Sequence, residues 1–266
     1  MTGKASTMAL AIHGLCFSYP DRPDVLKQVN LQAQAGERIG VIGANGAGKT
    51  TLFLVLCGIL SPTAGEIALW GKPLRVGSLS QEVGLVFQNP DHQLFCTSVW
   101  QDVAFGPENL GLPRQEVTDR VEAALRLTGT LPLAERPPHH LSGGEKRMVA
   151  IAGVLAMQPQ VVIYDEPSAN LDCRARRRLI EFLQQSPQTL LIASHDLEFI
   201  LETCQRVMVM DQGEVVADGE TKAIMGNPAL MGSHGLEPPH SLLFHDRPHP
   251  NGQGIPAALT ALPTSS

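Results

Sequence analysis

The sequence lacks paired cysteine motifs, long apolar runs and an excess of positive charge, and each absence closes off a class of protein. Its five cysteines, Cys16, Cys57, Cys96, Cys173 and Cys204, are odd in number and scattered, with no Cys-x-x-Cys. Neither a disulfide framework nor a zinc site is indicated, and buried free thiols in a reducing compartment are expected. Apolar runs such as Leu52–Leu60 fall far short of the roughly 20 residues a membrane-spanning helix needs. The start, MTGKASTMAL, has one lysine and no apolar core, so no signal peptide is read. Lysine and arginine number 20 against 26 acidic residues, a net charge of −6. No basic face for nucleic acid is apparent, and no nucleic-acid partner is expected. At 43% hydrophobic and 17% charged, the chain is not disordered. Its 266 residues suffice for one large domain or two small ones with a sizeable core.

What is there is an alternation of short apolar strands and helical stretches. Arg38–Ile42, Val83–Phe87, Val161–Tyr164, Thr189–Ala193 and Val207–Met210 read as strands. Thr50–Cys57, Arg114–Leu127, Gly144–Met157, Arg174–Gln184 and Leu197–Thr203 read as helices. Such alternation predicts a mostly parallel α/β core. Leu10–Ser18 and Val29–Ala35 look like an antiparallel hairpin region, with Glu66–Trp70 as a further strand. Residues 98–157 read as a helical insertion. After Asn227 the composition shifts, with seven of the 20 prolines and four of the nine histidines, and the last 15 or so residues read as a flexible tail. The basic run Arg174, Arg176, Arg177 and Arg178 reads as a solvated helix face, and His139-His140 as a loop.

Gly43-Ala44-Asn45-Gly46-Ala47-Gly48-Lys49-Thr50 matches G-x-x-x-x-G-K-[ST], with Thr51 next. It follows an apolar strand and opens a helix, the context in which backbone N–H groups cradle phosphates. Lys49 supplies a point charge to the β- and γ-phosphates, and the Thr50 hydroxyl ligates Mg²⁺. At the end of a second apolar strand stand Asp165 and Glu166. Strand ends of open α/β sheets are where ligands sit. Asp165 is placed to hold Mg²⁺, and Glu166 to orient or deprotonate an attacking water.

Leu141-Ser142-Gly143-Gly144-Glu145, just upstream, resembles the signature motif of ATP-binding cassette (ABC) ATPases. Other features fall in that family's order. Gln88 resembles its Q-loop glutamine, Ser168–Asp172 its D-loop, and His195 its switch histidine. Tyr19 lies where the family places an aromatic that stacks on adenine, with Phe17 a nearby competitor. The resemblance runs from about Leu10 to about Gly219. It implies an α/β P-loop NTPase fold: a RecA-like parallel-sheet core, an N-terminal antiparallel β subdomain and a helical subdomain at about 98–157. The ATPase domain is then expected over 8–228, with 229–266 a Pro- and His-containing, partly flexible extension. The resemblance also implies ATP and Mg²⁺ as cofactors, with Mg²⁺ held by Thr50, Gln88 and Asp165. Glu166, His195 and Gln88 are the expected catalytic residues. Ser142, Gly143, Gly144 and Glu145 are expected to bind the ATP of a partner protomer, with Asp172 in the D-loop. Glu145 stands where many members have Gln, and Cys173 where Pro is common.

Val86–Phe95, Val99–Gly111, Leu141–Gly153 and Ser194–Glu198 resemble ATPases of energy-coupling factor (ECF) importers, in particular those for cobalt and nickel. Vitamin importers share much of this text. The resemblance implies a second cassette, identical or different, and ECF-type transmembrane subunits. It places the chain peripherally on the cytoplasmic face of the cell membrane. Leu94, Phe95, Val99, Trp100 and Phe105 are candidate apolar contacts for those subunits or for the core. His234, His240, His245 and His249 suit Co²⁺ or Ni²⁺ by chemistry but not by compact spacing.

Overall fold

The computed structural model describes residues 7–74 and 81–243. The tail expected to be flexible lies outside them, as do His245 and His249. The chain opens with β1 (Met8–Phe17), β2 (Leu26–Gln34) and β3 (Arg38–Ile42), then α1 (Lys49–Leu56). β4 (Ala64–Leu69), β5 (Lys72–Pro73) and β6 (Val83–Val86) follow. Three helices come next: α2 (Val99–Asn109), α3 (Arg114–Leu127) and α4 (Gly143–Ala156). Then come β7 (Val161–Asp165), α5 (Cys173–Gln185), β8 (Thr189–Ala193), α6 (Leu197–Thr203), β9 (Arg206–Asp211) and β10 (Glu214–Glu220). Three short helices close the described chain: α7 (Thr221–Met225), α8 (Pro228–Ser233) and α9 (His240–Leu243).

Two sheets form. β2-β1-β4-β5 is antiparallel, with β1 central. β10-β9-β3-β8-β7-β6 is parallel from β9 to β6, and β10 is an antiparallel edge. The inner strands are apolar between their ends because both faces are covered. Alternate residues then feed two different cores, as the period of two requires. Val162, Tyr164, Leu190, Ile192, Val207 and Val209 face the core shared with α4, α5 and α6. Val161, Ile163, Leu191, Ala193, Met208 and Met210 face α1 and the antiparallel sheet. Phe53, at 0% exposure, is the largest α1 side chain in that second core. The helix that follows the phosphate loop is thus fixed between two sheets.

α2, α3 and α4 pack on one another. α3 buries Val117, Val121, Ala124 and Leu125, a single stripe at helical spacing. α4 reaches back to β6, tying this helical group to the parallel sheet. Beyond residue 228 the chain keeps to the same body. Met231 of α8 is fully buried in the α4–α6 core, His234 Nδ1 lies 2.8 Å from Asp211 Oδ2, and Ser241 donates to both carboxylate oxygens of Glu198. Packing therefore carries past the boundary drawn from composition, as far as Leu242.

Three expectations change. All five cysteines are free, but only Cys57 and Cys204 are buried and Cys173 is exposed. The run Arg174–Arg178 is not uniformly solvated. Arg176 bridges Asp196 (2.8 Å) and Glu202 (2.8 Å), and Arg177 also reaches Glu202. His139-His140 lies in a short 3₁₀ turn with the two rings edge to face.

Candidate functional site

The phosphate loop leaves β3 at Ile42 and enters α1 at Lys49. Two glycines are required by contact. Gly43 has φ 155°, and a Cβ there would run into Met210 O. Gly48 has φ 105°, and a Cβ would press on Leu26 and on Val25 O at 3.0 Å. Such φ values are open to glycine at little steric cost. The loop also rests on the turn after β9, where Gly213 N donates to Ala47 O at 3.1 Å.

Lys49 Nζ donates to Gly43 O (2.7 Å) and Ala44 O (3.1 Å), which aims it across the loop. Burial pushes its pKa down, opposed by Glu166 and then Asp165. Thr50 Oγ1 donates to Asp165 Oδ2 at 3.0 Å. Burial pushes Asp165 up, against the Thr50 hydroxyl, Lys49 and His195. Glu166 is buried and takes a left-handed backbone, φ 48°. Such a conformation in a non-glycine residue costs roughly 1–3 kcal/mol and is kept where surroundings hold it. The hold here is double: Glu166 N donates to Ala193 O at 2.9 Å, and Glu166 Oε2 accepts from His195 N at 3.0 Å. The other oxygen, Oε1, has no hydrogen-bond partner and lies 3.4 Å from His195 Nε2.

These groups line one cleft of about 220 Å³, bounded by Asn45–Thr51, Gln88, Asp165, Glu166 and His195. Arg22, to which sequence reading gave no role, lines it too, with Nη2 donating to Gly46 O at 3.4 Å. Tyr19 stands beside α1, its hydroxyl 3.4 Å from Thr51 Oγ1 and its ring edge-on to Phe17 at 4.8 Å. Phe17 is core, with 6% exposure, so Tyr19 is the more accessible of the pair.

The signature residues lie elsewhere. Ser142 caps α4 in a capping box: its Oγ accepts from Glu145 N (3.3 Å), and Glu145 Oε2 accepts from Ser142 N (2.8 Å). The Ser142 amide, then its hydroxyl, hold the Glu145 carboxyl below its usual range. Gly144 lets α4 approach α5, since a Cβ there would sit 2.9 Å from Ala175 Cβ. Asp172 caps α5, accepting from Ala175 N at 2.8 Å. Gly143, Gly144 and Glu145 border two other cavities, and none of the four signature residues lines the phosphate-loop cleft.

Of the five apolar residues after Gln88, Phe95 and Phe105 are exposed and meet edge to face at 4.9 Å. Val99 is fully buried, and Leu94 and Trp100 pack on the core. Asp102 Oδ1 accepts from Phe95 N and Cys96 N at 2.9 Å, which fixes the loop that carries Phe95. Among the described residues no cluster of three or more potential metal ligands occurs. His234 is engaged with Asp211.

Oxygen pair, lysine, glycine cradle and free buried carboxylate oxygen fit a nucleotide triphosphate with Mg²⁺: Thr50 and Asp165 present adjacent oxygens, and the loop presents backbone amides. Comparison with known proteins agrees. The ABC transporter family model matches residues 26–169. A protein of Synechocystis sp. described as an ABC transporter ATP-binding protein is 56% identical over 234 residues, covering 88% of this chain and 82% of that one. The energy-coupling factor transporter ATP-binding protein EcfA of Methanothermobacter thermautotrophicus is 42% identical, covering 94% and 83%. The structure of CbiO1 from Clostridium perfringens, part of the ABC transporter complex CbiONQ, superposes with TM-score 0.75 at 39% identity, covering 85% and 94%. Fold, site and relatives converge: the chain belongs to the ABC transporter family, as an ATP-hydrolysing cassette that works on ATP with Mg²⁺.

Proposed function

We propose that this chain is the ATPase subunit of an ECF-type importer and energises uptake of a transition metal ion, cobalt or nickel. The observation that carries the ATPase chemistry is the convergence of Lys49, Thr50, Asp165, Glu166, Gln88 and His195 on one cleft. The ECF branch is supported by similarity to EcfA and CbiO1. The metal cargo is supported by the resemblance of Val86–Phe95 and Val99–Gly111 to cobalt and nickel import ATPases.

In this reading the phosphate-loop amides and Lys49 hold the ATP phosphates. Thr50, Asp165 and Gln88 would hold Mg²⁺, which neutralises charge on the β- and γ-phosphate oxygens when bound. Glu166 Oε1, buried and without a hydrogen-bond partner, accepts a proton from the attacking water. His195, with Nε2 3.4 Å from that carboxylate oxygen and lining the same cleft, would contact the γ-phosphate. The signature residues serve the ATP of a second cassette, because they do not reach the phosphate-loop cleft of their own chain. Two cassettes therefore pair head to tail, as an identical or a different chain. No helix of the described residues is long and apolar enough to cross a membrane. Docking from the cytoplasmic face onto transmembrane subunits is assigned to the exposed Phe95–Phe105 pair. In this reading the cassette domain spans 8–228, with the helical subdomain near 98–157 and an extension from 229 whose first part packs back on the domain.

Copurification with integral membrane subunits, followed by uptake in proteoliposomes, tests the assignment. Labelled cobalt or nickel should accumulate only with MgATP. Accumulation of a vitamin instead would overturn the metal reading, and absence of membrane partners would overturn the transporter reading.

A further inference from the structure

Arg147 lies on α4 two residues beyond the last signature residue, Glu145, and is 2% exposed. Its guanidinium donates through Nη1 to Phe87 O at 2.7 Å and through Nη2 to Gln88 O at 2.6 Å. Its Nε is buried and unpartnered. Among the described residues no carboxylate pairs with it. A buried cation without a counter-ion is expensive, and an apolar side chain on the same face would avoid that penalty. What the arginine adds is its rigid fork, which fixes two successive carbonyls at the end of β6. A second, weaker hold lies beside it, from Lys146 Nζ to Asp91 Oδ1 at 2.7 Å, where Asp91 is largely exposed.

From this arrangement we infer that Arg147 is a positioning residue that sets Gln88 over the phosphate cleft and makes Gln88 move with the signature helix. The inference rests on the proposed role of Gln88 as a ligand of Mg²⁺. Gln88 follows the last strand residue, Val86, by two, and its side chain is exposed at the cleft, so its main chain needs an outside anchor. The anchor comes from the helix whose first turn is capped by Ser142. A displacement of α4 is thereby transmitted to Gln88 through two hydrogen bonds. The phosphate loop, built on β3 and α1, is left untouched.

The test is a double-mutant cycle in the full chain. Arg147→Met should lower kcat roughly ten- to a hundredfold, the scale of a misplaced catalytic group. It should raise the Mg²⁺ concentration needed for half-maximal activity and leave ATP affinity unchanged. Arg147→Lys should restore part of the rate, since an ammonium reaches one carbonyl. Because Arg147 acts through Gln88, Arg147→Met should add nothing to Gln88→Ala. Multiplying effects in the double variant, or wild-type kcat and Mg²⁺ dependence in Arg147→Met, would overturn the inference. Should Arg147→Met not fold, Arg147→Lys in the same cycle with Gln88→Ala decides by the same criterion. A wild-type chain without ATPase activity would instead sink the proposed function.

Discussion

The phosphate-loop cleft and the signature helix are assembled on opposite plans. The cleft collects groups from five places in the sequence: the turn before β2, the loop before α1, the end of β6, the end of β7 and the end of β8. Parallel pairing of β3, β8 and β7 brings them together. The signature end is local. Ser142 and Glu145 close a capping box within one helical turn, and their contacts do not involve the cleft. One site is made by tertiary structure, the other by the start of a single helix. The first can be lost by disturbing a sheet; the second survives as long as its cap does.

The largest expected effect separates chemistry from binding within the cleft. Glu166→Gln should retain MgATP and lose turnover roughly 10²- to 10⁴-fold, the range of a general base. Phosphate release and nucleotide binding, measured on one preparation, check this, and near-normal hydrolysis would remove Glu166 from its role. Lys49→Ala comes next. Loss of a charged hydrogen bond, worth about 1.5–3 kcal/mol, should weaken ATP binding roughly ten- to a hundredfold. Ser142→Ala sharpens the contrast. It should lower stability by about 1 kcal/mol through the lost cap and reduce hydrolysis while the isolated chain's ATP affinity holds. Weaker nucleotide binding by monomeric Ser142→Ala would erase the division between the two sites.

The smallest effect is one of pH. The Glu145 carboxyl titrates lower in the folded chain than in the unfolded one, because the Ser142 amide and hydroxyl donate to its ionised form. Its contribution is present above the unfolded carboxylate value and is lost as pH falls through the lower folded value. Glu145→Gln keeps an acceptor but cannot titrate. The Tm difference between wild type and Glu145→Gln should therefore shrink as the solution is acidified through the carboxylate range. A difference that widens on acidification would contradict the cap electrostatics.

Much of this was legible because buried parallel strands read as plain apolar runs. β3, β7, β8 and β9 show in sequence, and the glycine pattern and acid pair mark their loops. β10 did not show. Its exposure alternates, with Glu214, Asp218 and Glu220 outward, and an edge strand open to water on one side carries no apolar run. Arg176 and Arg147 were illegible for a different reason. A basic residue near a helix start reads as solvated, and only long-range packing reveals its partners. Arg176 meets Asp196 and Glu202, which lie 20 and 26 residues away, and Arg147 meets carbonyls 60 and 59 residues before it. The docking of residues 228–242 was hidden too, since Met231, Leu236 and Leu242, which make it, are scattered through a proline-containing stretch with no periodic pattern.

The seat of the phosphate loop on Met210 and Gly213 sets an order of events during synthesis. The whole glycine motif has been synthesised by Thr50, yet the carbonyl that crowds Gly43 and the amide that ties Ala47 belong to β9 and the turn after it. A nascent chain shorter than Gly213 carries the motif without its floor. Nucleotide capture is then an event of the completed cassette, so ATP would first engage a chain whose signature helix and switch histidine are already made.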